Sequence, residues 1–336
     1  MTAKKTFVVI TSINRPSEAI HEFARWSGWH LIVVGDRKTP EGWQCDGVTY
    51  LGIEQQYDEF AELARMVPEN TYTRKVLGYV YAMRRGATAI FETDDDNIPY
   101  AGAQAVVELD ILDRKVEVPS VRSEGGWVNI YAEFGASACW PRGYPLHALK
   151  DPVMAATKGH DSLPWGVLQY LADEDPDVDA VYRMTRGEPV FFARNRSLCL
   201  ARQTYSPFNS QATLWLPEFF PLMFLPVGVS DRVTDILRGY MALACLWKCE
   251  STLRFSSPLV YQRRNPHNLL RDFEQEIDLY RYVDRWSKLL LGVQGKGPAR
   301  IFQSAIDILI RDGAIPDRNN IAYETFLNQA SIDSAA

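Results

Sequence analysis

Cysteine is scarce in this chain, long apolar runs are missing, and no stretch carries a block of one charge. Each absence excludes something. The five cysteines (Cys45, Cys139, Cys199, Cys245 and Cys249) are scattered and odd in number, and none has the spacing of a zinc site. Cys245 and Cys249 fall one helical turn apart in an apolar pattern, so buried thiols in a reducing, cytoplasmic compartment are expected. The start, from Met1 through Lys5 into Phe7-Val8-Val9-Ile10, is too short for a signal-peptide core and has no small-residue cleavage site. The most apolar region, residues 214–229, is interrupted by Pro217, Pro221 and Pro226 and carries Glu218, so it does not read as a membrane span. A peripheral contact with a lipid surface through this Phe/Leu/Met-rich segment is left open. The net charge of -6 and the interleaving of basic with acidic residues argue against nucleic-acid binding. There are no internal repeats and no low-complexity segment.

What is present is a large globular chain. Its 336 residues suffice for two ordinary domains or one large α/β domain with additions. Residues 1–100 alternate strand and helix patterns. Strands are expected at 7–11, 31–34, 48–51 and 87–91, and helices at 16–27, 54–66 and 73–85, the last closed by Gly86. Such repeated βα units imply a mostly parallel sheet flanked by helices. Residues 100–220 are less regular and rich in Pro, Trp and Gly, which suits insertions that carry substrate contacts. A polar loop then leads into a long helix within 227–247, with Ser230 as N-cap. A strand at 258–262 and amphipathic helices at 272–291 and 301–310 complete the chain, with a frayed tail after Ser331.

The most informative stretch is Thr93-Asp94-Asp95-Asp96-Asn97, directly after the apolar run ending at Phe91. Three consecutive carboxylates at a strand end repel one another unless they face water or a cation neutralises them. Hard cations such as Mg2+ and Mn2+ take oxygen ligands, commonly one or two carboxylates plus substrate phosphates. In parallel α/β sheets, ligands sit outside the carboxyl ends of the strands. Three other polar features are expected at that edge. Thr11-Ser12-Ile13-Asn14-Arg15-Pro16 opens the first helix, where a nucleotide would be held. Asp36-Arg37-Lys38 follows the second strand, with a carboxylate for a base or ribose hydroxyl and cations for a diphosphate. Arg74 and Lys75 begin the helix before the acidic strand, within reach of phosphate oxygens. Ordinary turn chemistry explains any one of these loops, but not so readily their clustering.

With these residues in view, the chain resembles nucleotide-sugar glycosyltransferases of the GT-A fold, whose D-x-D motif binds a metal that bridges the donor diphosphate. Asp94 and Asp96 match its outer positions. A closer resemblance is to the STELLO family of glycosyltransferases. It is carried by 11–16, Val33-Val34-Gly35-Asp36-Arg37-Lys38-Thr39-Pro40, Arg74-Lys75-Val76-Leu77-Gly78-Tyr79, 92–99, Trp140-Pro141-Arg142-Gly143-Tyr144-Pro145 and 231–240. STELLO proteins of plants carry an N-terminal membrane anchor that this sequence does not show. More distantly the chain is similar to the reversibly glycosylated polypeptides, which act as UDP-arabinose mutases. Their Arg-Gly-Tyr-Pro arginine is implicated in self-glycosylation, and Arg142 occupies that position here. As a planar five-donor group, Arg142 also suits a phosphate or carboxylate clamp.

The resemblance implies a GT-A-like catalytic domain over 1–270, with a nucleotide-binding half (1–100) and an acceptor half (101–270), and a helical extension over 271–330. It implies metal-dependent, inverting transfer of a hexosyl or pentosyl group from a nucleoside diphosphate sugar, UDP-sugars first, to a glycan or other hydroxyl acceptor. Asp94, Asp96 and His267 would be metal ligands, although Gln262 lies nearer the histidine position of the mutase-like relatives. Thr11, Ile13, Asn14, Arg15, Asp36, Arg37, Lys38, Arg74, Lys75, Asp94, Asp95 and Arg264 would bind the nucleotide sugar, with Arg263 as a further diphosphate partner. Asp231, Asp235 and Arg238 share one helix face. Asp235 is the expected base, against an ion pair with Arg232 or Arg238, and Asp231 would be a first-turn acid favoured by the helix dipole. The aromatic residues Trp127, Tyr131, Trp140, Tyr144 and Trp165 would stack on sugars or fill the core. A mutase or self-glycosylating protein using Arg142, or a non-catalytic scaffold, are the alternatives.

Overall fold

The β-branched run Val8-Val9-Ile10 is buried on both faces, as a central parallel strand requires. In the computed structural model, which describes residues 5–113, 118–159 and 163–332, it lies within β1 (Thr6–Thr11). The other strands are β2 (Trp29–Val34), β3 (Val48–Leu51), β4 (Ala89–Thr93), β5 (Asn97–Pro99), β6 (Ser120–Arg122), β7 (Thr157–Gly159), β8 (Trp165–Asp173), β9 (Ser197–Leu200), β10 (Ala212–Trp215) and β11 (Thr252–Gln262). The helices are α1 (Glu18–Ala24), α2 (Ile53–Glu59), α3 (Ala61–Met66), α4 (Lys75–Arg84), α5 (Ala103–Leu112), α6 (Ile130–Glu133), α7 (Ala180–Thr185), α8 (Asp231–Lys248), α9 (Leu269–Leu290), α10 (Pro298–Asp312) and α11 (Arg318–Gln329).

The fold is mixed α/β. One central sheet has the order β3-β2-β1-β4-β10-β8-β11-β9-β6-β7, with β5 paired to β11. Strands β3, β2, β1 and β4 are mutually parallel. Strand β10 runs against β4, and β8 and β11 return to the first direction. Alternation along the strands divides the core. Val9, Ile32 and Val34 face the layer that contains α4 and α8, and Val8, Ile10, Leu31 and Val33 face α1 and α5. Helix α4 lies close on the sheet because Gly78 faces Val9 and Val34; a Cβ there would stand 2.6 Å from the Val9 side chain.

This topology decides where the site falls. Strands β1, β2 and β4 end together, since Thr11 pairs with Val34 and Val9 with Glu92. Strand β10 begins at the same edge, Ala212 opposite Thr93. Strands β8 and β11 also end there, Tyr261 opposite Asp173. Every segment following or preceding those ends is delivered to one rim.

Local structure departs from the sequence reading in identifiable ways. The helix expected over 54–66 breaks at Phe60, whose φ of -132° is not helical, into α2 and α3. Ser17, not Pro16, sets the start of α1, its side chain accepting from the Ile20 N–H. The helix over 301–310 is not the last, because α11 follows and packs on α3, α4 and α10. The 217–223 turn holds Phe219, Phe220, Leu222 and Met223 in the core, so these side chains are not presented to a lipid surface. Trp127, Tyr131, Tyr144 and Trp165 are core residues, and Trp140, half-buried, donates to Asp179. Cys139, Cys199 and Cys245 are buried free thiols, while Cys45 and Cys249 are half-buried. Among the described residues no helix is long and apolar enough to cross a membrane. The tail from residue 333 lies outside the described residues.

Glu92 and Arg238 lock α8 to the sheet. Both side chains are fully buried, with Arg238 Nη2 2.8 Å from Glu92 Oε1. Trp215 Nε1 donates to the same oxygen at 2.7 Å, and the Tyr79 hydroxyl donates to Oε2. The guanidinium lies 4.9 Å from the Trp215 ring centroid. Removing one partner strands the other charge. R238M is therefore expected to cost about 3–5 kcal/mol in urea unfolding. A loss below about 1 kcal/mol would show that the pair is not a structural lock.

Candidate active site

The rim carries a cleft of about 640 Å³. Its walls include residues 11–14, Asp36 and Lys38 after β2, Tyr72, the acidic turn after β4, Arg142, Asp177, the start of α8, and the segment after β11.

Each carboxylate of the acidic turn has a different environment. Asp94 accepts from Lys75 Nζ at 2.9 Å and from the Tyr72 hydroxyl at 2.7 Å. Lys75 is fully buried and also donates to the Thr93 carbonyl, so it neutralises Asp94 rather than facing the cleft for phosphate. Asp95 accepts from Ser12 Oγ at 2.5 Å and Asn14 Nδ2 at 3.0 Å, and its carbonyl takes the Ser17 hydroxyl. It ties the first loop and the α1 N-cap to the turn. Burial raises its pKa, opposed by those two side-chain bonds.

Asp96 is different. Gln262 Nε2 holds its Oδ2 at 3.0 Å, while its Oδ1 is buried without a partner. Burial, followed by repulsion from Asp94, pushes its pKa up to about 7. An orphaned, strongly acceptor oxygen beside a second carboxylate fits a hard cation. Among the described residues no three His, Cys, Asp or Glu side chains converge as a metal cluster. Such a cation would therefore draw most of its shell from phosphate oxygens and water, as Mg2+ does in phosphate-transfer sites. His267 does not join Asp94 and Asp96; its Nδ1 lies 3.3 Å from Asp272. Gln262, not a histidine, touches Asp96.

A second network lies deeper. Arg142 donates through Nε and Nη2 to Asp177, at 2.8 Å each, and through Nη1 and Nη2 to Asp235, at 3.1 Å each. Its Nη1 also donates to the Arg232 carbonyl. Burial opposes its charge, but Asp177 and Asp235 outweigh that and raise its pKa well above the usual value. Burial would likewise raise Asp177, yet Arg142 and Arg232 hold it well below the usual carboxylate range. Gly143, at φ +90°, lets this loop approach α8: a Cβ would stand 2.5 Å from the Tyr240 hydroxyl, which donates to the Gly143 carbonyl.

Asp235 lines the cleft, but its Oδ1 also takes the Ile236 N–H and its Oδ2 the Ser210 hydroxyl. Its ion-pair partner is Arg142, not Arg232 or Arg238, which pair with Glu276 and Glu92. Asp231, one turn earlier, stands open on the cleft, accepting the Tyr72 N–H at 2.9 Å. The enclosing walls, and then Asp235, raise its pKa.

The remaining expected residues divide. Thr11, Ile13, Asn14, Asp36 and Lys38 line the cleft. Arg15 is exposed outside its lining, and Arg37 is turned to Glu69, 2.7 Å from Nε. Arg263 pairs with Glu18 at the surface. Arg74 borders the cleft but is buried, donating to Gln56 and to the Val67 carbonyl, with Nη2 unpartnered. Arg264 pairs with Asp272 at 3.0 Å. Sequence reasoning missed Tyr72, Asp177, Asn209 and Ser210, which lie on irregular segments without periodicity.

The fold and rim define a mixed α/β protein with an acidic ligand cleft at the carboxyl edge of its parallel strands. No protein-family model matches the chain. Over 90% of its length it is similar to two Arabidopsis thaliana proteins, "Probable glycosyltransferase STELLO2" at 28% identity and "Probable glycosyltransferase STELLO1" at 27%. The matched region covers 41% of each of those relatives, so the chain spans well under half their length. Among solved structures it is similar to glucosyl-3-phosphoglycerate synthase from Mycobacterium tuberculosis in complex with Mg2+ and uridine diphosphate. That match has 12% identity and a TM-score of 0.41, over 87% of this chain and 81% of that one. It is also similar to the mannosyltransferase PcManGT from Pyrobaculum calidifontis in complex with GDP-Man and Mn2+. There the identity is 11% and the TM-score 0.40, over 98% of this chain and 76% of that one. At these scores the likeness carries no weight for the site, which is read from its own residues.

Asp96 generates a pH prediction. Its pKa in the fold, about 7, exceeds the free value of 3.8, so between these the native state retains a proton that the unfolded chain has lost. Stability contributed by this group is present at low pH and falls as pH rises through that window. Without divalent cations, D96N is expected to melt higher than wild type at pH 8, and the gap to close toward pH 4. Equal melting temperatures at both pH values would contradict the raised pKa.

Proposed function

We propose that the chain is a metal-dependent glycosyltransferase of GT-A type, acting on a nucleoside diphosphate sugar and a hydroxyl acceptor. The observation that carries this is the buried, unpartnered oxygen of Asp96, a residue that lines the cleft together with the first-strand loop and Asp36. The likeness to the STELLO proteins points the same way. UDP-sugars are the first donors to test.

Asp36 would take a base or ribose hydroxyl; its Oδ1 already accepts the Arg37 N–H. Thr11, Ile13 and Asn14 would border the nucleoside, and Lys38 would meet the diphosphate. Asp96, with Asp94 beside it, would hold Mg2+ or Mn2+, which when bound neutralises the charge of the leaving diphosphate. Lys75 holds Asp94 in place through their ion pair.

The proton of the acceptor hydroxyl is assigned to Asp231. The Asp235 carboxylate already accepts four hydrogen bonds, about its full complement. Asp231 has one and a raised pKa, which suits a general base. A base on the acceptor side fits single displacement with inversion. Arg142 holds Asp235 and the start of α8; charged and bound by two carboxylates, it offers no lone pair for a covalent sugar, so the mutase reading is not carried further.

Release of nucleoside diphosphate from UDP- and GDP-sugars with Mn2+ tests this. D96A is expected to abolish release while keeping the far-ultraviolet circular dichroism of wild type. D231N is expected to lower kcat by about 10²–10⁴ with little change in donor KM. Full activity of D96A would remove the metal role, and full activity of D231N would return the base to Asp235.

A further inference from the structure

A second hollow, of about 540 Å³, adjoins the cleft and shares Gln262, Arg264, Asn265 and His267 with it. Two of its walls hold arginines whose donors are not all used. Arg183 gives Nη1 to Asp175 and Nη2 to the Pro176 carbonyl at 2.8 Å, and its Nε is buried without a partner. Its side chain is only 9% exposed. Arg264 gives Nη2 to Asp272, and its Nε is likewise buried and unpartnered. Leaving a buried donor unpaired costs free energy, and two arginines on this one hollow each leave one, as Arg74 and Arg238 also do elsewhere in the fold.

The lining is formally balanced, with Arg183, Arg186 and Arg264 against Glu174, Asp175 and Glu188. Burial, then repulsion from Arg183 and Arg232, lowers Arg264 to about 10. On the rim, exposed Arg186 has no ion-pair partner among the described residues. Glu174, Asp175 and Glu188 also line the hollow, but Asp175 is committed to Arg183. Guanidinium groups have donors and no acceptors, so the group that satisfies both orphaned Nε atoms must be rich in acceptors. A neutral sugar brings as many hydroxyl donors as acceptors; a phosphate or carboxylate brings acceptors only.

We propose that this hollow is the acceptor subsite and that the acceptor carries an anionic group, phosphate or carboxylate, seated on Arg183 and Arg264. The inference rests on the glycosyltransferase reading. It places the anion beside, and not within, the donor cleft, because the two hollows meet only along 262–267.

The test reads the arginine Nε–H resonances of the whole chain by 15N-edited NMR. Inorganic phosphate and glucuronate are titrated separately, with glucose as neutral control. Saturable shifts of the Arg183 and Arg264 signals are expected with an anion and not with glucose; the anion that acts assigns a phosphorylated or a uronate acceptor. R183Q is expected to abolish the Arg264 response. R186Q, at an exposed position where folding is not at stake, is expected to weaken the affinity roughly tenfold, the scale of one charge-assisted contact. No saturable shift with either anion, or equal shifts with glucose, overturns the proposal. UDP with Mn2+, added to the same sample, reports the donor cleft through the amides of Ser12 and Asn14. A UDP response without an anion response sinks the subsite and leaves the transferase reading standing. An anion response without a UDP response supports the anion site and sinks the donor reading.

Discussion

Three neighbouring carboxylates at the end of a buried strand cannot all remain ionised and bare, and the rim of this protein is organised around how each is neutralised. Asp94 is matched by Lys75, a fully buried ammonium at the start of α4. Asp95 is absorbed by hydroxyl and amide donors of the first-strand loop, which thereby acquires its shape. Of the three, only Asp96 has a buried oxygen left without a partner. A turn that merely faced water would have no need of a buried lysine, nor of a glutamine reaching from β11 to hold one oxygen and leave the other bare.

Helix α8 is the second organiser. Its first two turns present Asp231 and Asp235 to the cleft, and three residues on Arg238 enters the core to meet Glu92. Glu92 lies two residues before Asp94, on the strand that leads into the acidic turn. The position of α8 and that of the acidic turn are thus fixed by one buried ion pair, with Tyr79 and Trp215 also donating to Glu92. Arg142 supplies the opposite brace, drawing Asp235 toward Asp177 on the segment after β8. Holding this geometry costs desolvation of several charges, which their ion pairs and hydrogen bonds offset.

Much of the architecture was legible in the sequence because local signals and global fold agree there. The βα order of residues 1–100, the placement of the acidic turn after a strand and the Ser230 cap all follow from period and capping chemistry. Other features have no local signature. Strand β8 is buried along its whole length, so it shows no alternation, and it sits among irregular segments. The break at Phe60 leaves the helical spacing of apolar residues intact on both sides. At the site, residue types were readable but partners were not. Lys75 looks like a phosphate ligand until Asp94 claims it, and Asp235 looks like a base until Arg142 fills its lone pairs. Such pairings span long sequence separations and are settled only by the sheet order.

The central claim is that the acidic turn is a divalent-metal site that acts only together with a nucleoside diphosphate. Isothermal titration of the purified chain with UDP and with GDP, each with Mn2+ and then with chelator, tests it most directly. The account predicts that one nucleotide binds saturably with Mn2+ and that the heat disappears when the metal is removed. Binding of equal strength with and without metal, or no binding of either nucleotide, would contradict it.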